Sequence, residues 1–198
     1  MRKRVFYNKI HEMKYISHLD LIKFIERLLK IGGIKPSFTQ GFHPRPKMTF
    51  GNALPLGMES FSDVFEFETE EDISDKDVFE RLSKKVPIGF EIVSVETIDK
   101  KSSVVTDFNA VKYEISFDNQ DFFNEFLDLM KKESIIVKKE KNGKVTERDL
   151  KPKIRKYEAK DNIFLIFLDE ISPKYLFEYI GKEPENVNIK RVGYSLVS

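Results

Sequence analysis

Val111, Tyr113, Ile115 and Phe117 alternate with Lys112, Glu114 and Ser116. A two-residue period places each set on one face of a strand, so this segment reads as a half-buried strand. It constrains the fold most through the elements on its C-terminal side, because the same order of elements occurs twice in the chain. A Phe-rich helix is predicted over 121–132. Extended segments 135–139 and 145–150 flank Asn142-Gly143, a strong hairpin turn. Residues 163–168 are apolar throughout, as in a central strand. Ser172-Pro173 then opens a helix that Gly181 ends, and 187–196 supplies a last strand.

The first half runs in parallel. Residues 4–9 read as a strand. Ser17-His18-Leu19-Asp20 opens a helix, with Ser17 as cap and Asp20 in a capping box. Leu21, Phe24, Ile25, Leu28 and Leu29 follow at helical spacing, and Gly32-Gly33 ends the run. An extended segment over 36–50 meets Gly51-Asn52, a two-residue hairpin signal. Residues 63–68 alternate acidic and apolar side chains, as in a half-exposed strand with a free edge. Ser74 caps a second helix reaching Lys85, and 91–98 is another strand.

Matching elements lie about one hundred residues apart, too far for a solenoid and right for a duplicated small domain. The expected class is α+β: two ferredoxin-like lobes of split β-α-β type in tandem, 1–100 and 110–198, joined by a polar stretch over 100–109.

Composition removes several chemistries. The chain has no cysteine, which excludes disulfides, thiolate zinc sites, iron–sulfur clusters and Cys nucleophiles. No phosphate-binding Gly-rich loop, dinucleotide fingerprint or zinc-type His spacing occurs, so no cofactor or metal is expected. No apolar run approaches a membrane span and no signal-peptide pattern is present, which points to a cytoplasmic protein without membrane attachment.

The net charge of +1 conceals segregation. Residues 1–60 hold 11 Lys+Arg against 4 Asp+Glu, residues 61–100 hold 5 against 12, and residues 131–160 hold 12 against 5. Two basic segments can present a local positive field to a polyanion. The competing explanation is that these lysines solvate helix and hairpin faces. The hairpin over 138–144 could probe a nucleic-acid groove, although lysines guarding strand edges account for it as well.

Candidate function concentrates in Gln40-Gly41-Phe42-His43-Pro44-Arg45-Pro46-Lys47. His43 and Arg45 precede prolines, which favours extended backbone. Alternation then places His43, Arg45 and Lys47 on one side, and Phe42, Pro44, Pro46 and Met48 on the other. The apolar row, with Phe42 as core anchor, would seat the segment while the cationic row meets an anion. Gln40 would hold the loop through its amide, and Gly41 and Gly57 would serve turns.

On the first helix, Lys23, Arg27 and Lys30 form a basic stripe at i, i+4 and i+7. Joined to the loop, that stripe would track phosphates. The expected RNA- or anion-binding set is therefore His18, Lys23, Arg27, Gln40, His43, Arg45 and Lys47. His18 and His43 are also the candidates for an acid/base pair, should any reaction occur. Ser17, His18 and Asp20 do not make a triad, because adjacent helical positions point in different directions. The acidic residues of 66–77 could attract a divalent ion, although alternation and capping account for most of them.

Ser17-His18-Leu19-Asp20-Leu21 leading to Arg27, the Gln40–Pro46 run, and Ala53-Leu54-Pro55-Leu56-Gly57-Met58-Glu59-Ser60 resemble the radical-SAM-linked protein family, a domain of unknown function. The later Glu147-Arg148-Asp149-Leu150-Lys151-Pro152 and Lys190-Arg191-Val192-Gly193 extend the resemblance along the chain. That family occurs alone or fused behind a radical-SAM enzyme, often beside genes for an RNase G/E-type nuclease and ribosomal proteins.

The resemblance implies a stand-alone companion with a role near RNA or ribosome metabolism, and a radical-SAM enzyme as a second partner. It supplies no reaction. Members often carry Asn where His43 stands and His where Arg45 stands, which argues against His43 as an essential catalyst. The expected function is a non-catalytic RNA-binding accessory protein. The alternatives are a module docking on a radical-SAM enzyme, with the 63–68 strand as sheet edge, and a metal-independent endoribonuclease using His18 and His43.

Overall fold

Strand β1 (Arg2–Lys9) sets the pattern of the N-terminal half: Val5 and Tyr7 point to one face and Arg2 and Arg4 to the other. A computed structural model describes residues 1–141, 144–182 and 187–196 and divides the chain into two units, Met1–Phe108 and Asn109–Ser198.

In the first unit β1 is followed by α1 (His18–Ile31), β2 (Met48–Phe50), β3 (Glu59–Glu68), α2 (Asp75–Ser83), β4 (Phe90–Ile98) and a short α3 (Val104–Asp107). The strands are antiparallel in the order β4-β1-β3, with β2 on β3. Val5, Tyr7, Phe65, Phe67 and Phe90 of the sheet pack against Leu21, Ile25, Leu28 and Leu29 of α1 and Val78 and Leu82 of α2.

Both long helices of this unit start at the serine their sequences mark, but without the full capping box, since each aspartate carboxylate accepts from the serine hydroxyl rather than from its backbone amide. Ser17 Oγ accepts the Asp20 amide at 3.2 Å and donates to its carboxylate at 2.7 Å. Ser74 repeats the device with Asp77 at 3.0 and 2.7 Å. Gly33, at φ +67, carries the chain out of α1 in the left-handed region.

The second face of the β4-β1-β3 sheet is ionic. Glu66 lies opposite Arg4 across β1–β3 and is fully buried. It accepts from Arg4 Nε at 2.8 Å and from Arg2 Nη2 at 2.7 Å. Arg4 also reaches Asp107 at 2.6 Å and Glu96 at 3.2 Å, under the Phe108 ring.

Four expectations for this unit change. The 63–68 strand is not half-exposed: Asp63, Val64, Phe65, Glu66 and Phe67 are all buried, and Arg2 and Arg4, distant in sequence, neutralise Glu66. Nor is it a free edge, since β1 pairs along it and β2 pairs at Phe65–Phe67. Gly51-Asn52 does not make a two-residue hairpin. Gly51 N continues the pairing to Val64 O at 3.1 Å, and the connection to β3 runs to residue 58, tied to the 11–15 turn by Gly57 N to Lys14 O at 3.0 Å. The stretch over 100–109 contains α3, closed by a Ser103–Thr106 capping box.

The second unit comprises β5 (Ala110–Phe117), α4 (Gln120–Lys131), β6 (Ile136–Lys141), β7 (Lys144–Asp149), β8 (Ile154–Lys160), β9 (Ile163–Leu168), α5 (Lys174–Tyr179) and β10 (Val187–Ser195). Its sheet runs antiparallel in the order β10-β5-β9-β8. Asn119 caps α4, its side-chain oxygen accepting from Asp121 N and Phe122 N at 2.8 and 3.0 Å.

The core is aromatic. Phe117 stands among Phe122, Phe123, Phe126, Phe164 and Phe177, with centroids 5.3–6.3 Å apart.

Here too one expectation changes. The extended pair 135–139 and 145–150 does not join the main sheet. β6 and β7 pair with each other as a separate two-stranded sheet. The strand beside β9 is β8, whose charged, mostly exposed sequence carries little apolar alternation. The Asn142-Gly143 turn lies outside the described residues.

Candidate functional site

Residues 36–47 are built as an arm rather than one extended run. Pro36 bridges to Thr69, and Phe38 to Pro46. Ser37 N donates to Glu68 O at 2.7 Å and Lys47 N to Ser37 O at 2.8 Å, which anchors the base on β3. Further out, Thr39 N donates to Arg45 O at 2.8 Å and Arg45 N to Thr39 Oγ1 at 3.0 Å. The chain turns back between these contacts, through Gln40 to Pro44, with Gly41 at φ +139.

The reversal breaks the expected two-sided row. Alternation holds only on the returning leg, where Arg45 and Lys47 are exposed, Pro46 is half-buried and Met48 packs on the core. Phe42 is not a core anchor: it stands fully exposed at the tip, at 102% of its reference area. Gln40 does not hold the loop; its amide makes no hydrogen bond among the described residues. Thr39 does that work, bonding Arg45 with both backbone and side chain.

The arm meets the first helix. Arg45 Nη1 donates to Glu26 Oε2 at 3.1 Å, so the cationic leg sits beside the turn of α1 that carries Arg27 and Lys30. Lys23 pairs with Asp20 at 3.7 Å, and Lys47 with Glu68 at 3.2 Å. These exposed pairs are each worth about 0–1 kcal/mol and exchange readily for another anion. The side chains of Arg27, Lys30 and His43 have no charged or hydrogen-bonded partner among the described residues.

His18 and His43 are not brought into contact. The His18 ring meets Phe50 edge-on, with centroids 5.7 Å apart, while His43 is exposed in the turn. Most acidic residues of 66–77 are occupied: Glu66 by Arg2 and Arg4, Glu68 by Lys47, Glu71 by Lys35, Asp75 by Lys3, and Asp77 by the Ser74 cap; Glu70 and Asp72 have no side-chain partner among the described residues. Among the described residues no group of His, Asp and Glu could hold a metal ion. No helix among them is long and apolar enough to cross a membrane.

Below the arm is a cavity of about 370 Å³ whose lining includes Arg2, Thr39, Lys47, Thr49, Glu66 and Glu68. Arg2 Nη2 spans it, donating to Thr49 Oγ1 at 3.2 Å as well as to Glu66.

Nearby groups have displaced proton affinities. Burial works against the charge on Arg4, but its bonds to Asp107 and Glu66 outweigh this and raise it above its ordinary value. The bond from Arg4 is the main reason Asp107 lies below the usual carboxylate range. Asp75 is also lowered: burial opposes its ionisation, and the bonds from Lys3 and Thr97 overcome that.

Thr39, Glu26 and Arg2 are the site residues that sequence reasoning missed. The alternation of Arg2 and Arg4 on a strand, matched by acids at 63–68, is the signal that could have found Arg2. Glu26 offered only its place inside the basic stripe.

The family model described as an uncharacterized protein conserved in bacteria (DUF2344) matches residues 2–188, and the chain belongs to that family. No curated protein matches the sequence.

Proposed function

We propose that the protein is a non-catalytic RNA-binding accessory factor acting in RNA or ribosome maturation or modification. RNA phosphates would meet the arm over 41–47 and the exposed face of α1. The observation that carries this reading is the Arg45–Glu26 contact, which seats the cationic arm against the helix bearing Lys23, Arg27 and Lys30. Arginine suits forked contacts to phosphate and lysine simple neutralisation. The expected role in RNA metabolism rests on the resemblance to the radical-SAM-linked family.

Fluorescence anisotropy across a salt series tests the reading. The intact protein is expected to bind single-stranded RNA with a steep salt dependence. Arg45→Ala/Lys47→Ala removes two phosphate contacts and should flatten the log–log slope by about 1.4. No binding at low salt would refute it.

A second reading is docking on a radical-SAM enzyme. It is favoured by exposed Tyr15, Leu19 and Leu56, on segments linked by the Gly57–Lys14 bond. Copurification that survives nuclease treatment is its expected sign. The endoribonuclease reading draws no support from the separate placement of His18 and His43.

The same strand order in both units supports a ferredoxin-like reading of each. In the first unit β4-β1-β3-β2 is the order of a split β-α-β unit. In the second unit β10-β5-β9-β8 repeats it, with β6 and β7 as an insertion after α4.

A further inference from the structure

We infer that Phe42 is a stacking platform for an unpaired base, so that the arm selects single-stranded or looped RNA over duplex; this rests on the RNA reading above. Of the chain's 18 Phe, 16 are buried or half-buried, and the two exposed ones, Phe38 and Phe42, both lie on this arm. Phe42 is the more exposed, with its whole side chain in solvent.

The ring is also held out, not left to collapse. The paired bonds between Thr39 and Arg45 close the turn beneath it.

Its neighbours identify the ligand chemistry. Phe38 and Pro44 are the exposed apolar neighbours of Phe42 on the arm, a small patch for a protein groove or an acyl layer, whereas His43, Arg45 and Lys47 offer positive or protonatable groups. An exposed ring among cations fits a nucleotide, whose base stacks while its phosphates meet the charges, and every base has a face to stack. In a duplex both faces of each base are already covered. Unpaired bases are the ones an aromatic side chain can reach.

The experiment compares the full-length protein with Phe42→Ala and Phe42→Trp. Anisotropy would be measured on an oligoadenylate of about twelve nucleotides and on an RNA duplex of similar length. Phe42→Ala is expected to weaken single-strand binding by about tenfold with an unchanged salt slope, and to leave duplex binding unaltered. Phe42→Trp should restore single-strand affinity.

Equal single-strand affinity of the wild type and Phe42→Ala, with steep salt dependence in both, would overturn the stacking role while leaving the RNA reading intact. Absence of RNA binding in all three proteins would overturn both. Loss of binding to phosphatidylserine vesicles in Phe42→Ala, with RNA affinity unchanged, would reassign the residue to a membrane surface and overturn the inference.

Discussion

The two units use similar strand orders and different interiors, although the second also buries a charge, Arg191, against Tyr113 and Tyr194. The second is organised by five phenylalanine rings around Phe117. The first has an apolar core between sheet and helices, and on the other face of its sheet it buries Arg4 and Glu66. At the edges of its apolar face it also buries Lys3 and Lys9, with Lys3 bonded to Asp75 and Thr97 at 2.7 Å each and Lys9 to the Ile16 carbonyl at 3.2 Å. One pattern of strands can therefore be closed by contacts that tolerate small shifts or by charges that must meet specific partners. The aromatic core draws its energy from area and packing. A buried ion network adds little net stability over an apolar equivalent, yet losing one member is severe.

The largest effect expected lies in the aromatic core. Phe126→Ala should destabilise the second unit by about 4 kcal/mol, the transfer term plus a cavity term. Urea denaturation gives the magnitude, and hydrogen exchange should show the loss of protection in β5, α4 and β9. Equal loss in β1 would break the distinction between the units.

Glu66→Ala should follow, at about 3 kcal/mol, because Arg2 and Arg4 would keep their charges without the buried carboxylate between them. Its exchange signature is expected in β1 and β3. An effect under about 0.5 kcal/mol, the level of an ordinary surface change, would show that solvent reaches this network.

The third effect is a pH dependence with a defined sign. Asp75 and Asp107 have folded-state proton affinities below their unfolded values. Their contribution is fully present above the ordinary carboxylate range, near pH 4, and is lost as pH falls through the lowered folded-state values. Urea midpoints of the wild type should therefore drop on acidification. Asp75→Asn/Asp107→Asn, weaker at neutral pH, should lose less over the same interval. Parallel pH profiles would remove these two groups from the account.

Local chemistry made much of this readable in advance. Ser17 with Asp20 and Ser74 with Asp77 place helix starts through contacts three residues apart, which a linear reading captures. β5 was legible because its solvated and buried faces alternate cleanly. The 63–68 strand misled because acidic alternation normally marks a solvated face, while the residues neutralising Glu66 stand 62 and 64 positions away. β8 was missed for the converse reason, as an edge strand rich in charge. The cationic residues of the arm were visible by type. Its reversal was not, because the Thr39–Arg45 closure depends on backbone geometry that no single residue announces. That reversal is what turned Phe42 outward.

The hairpin of β6 and β7 leaves and rejoins the second unit at a single pinch. Leu150 N donates to Ile135 O at 2.9 Å, Asp149 Oδ1 accepts from Ile135 N at 2.8 Å, and both Ile135 and Leu150 are buried. Entry and exit are thus clamped together whatever lies between them. Changes of length at the exposed end of the hairpin are therefore expected to leave the register of β5, β8 and β9 unshifted, which makes it a natural port for adding a new module to this chain.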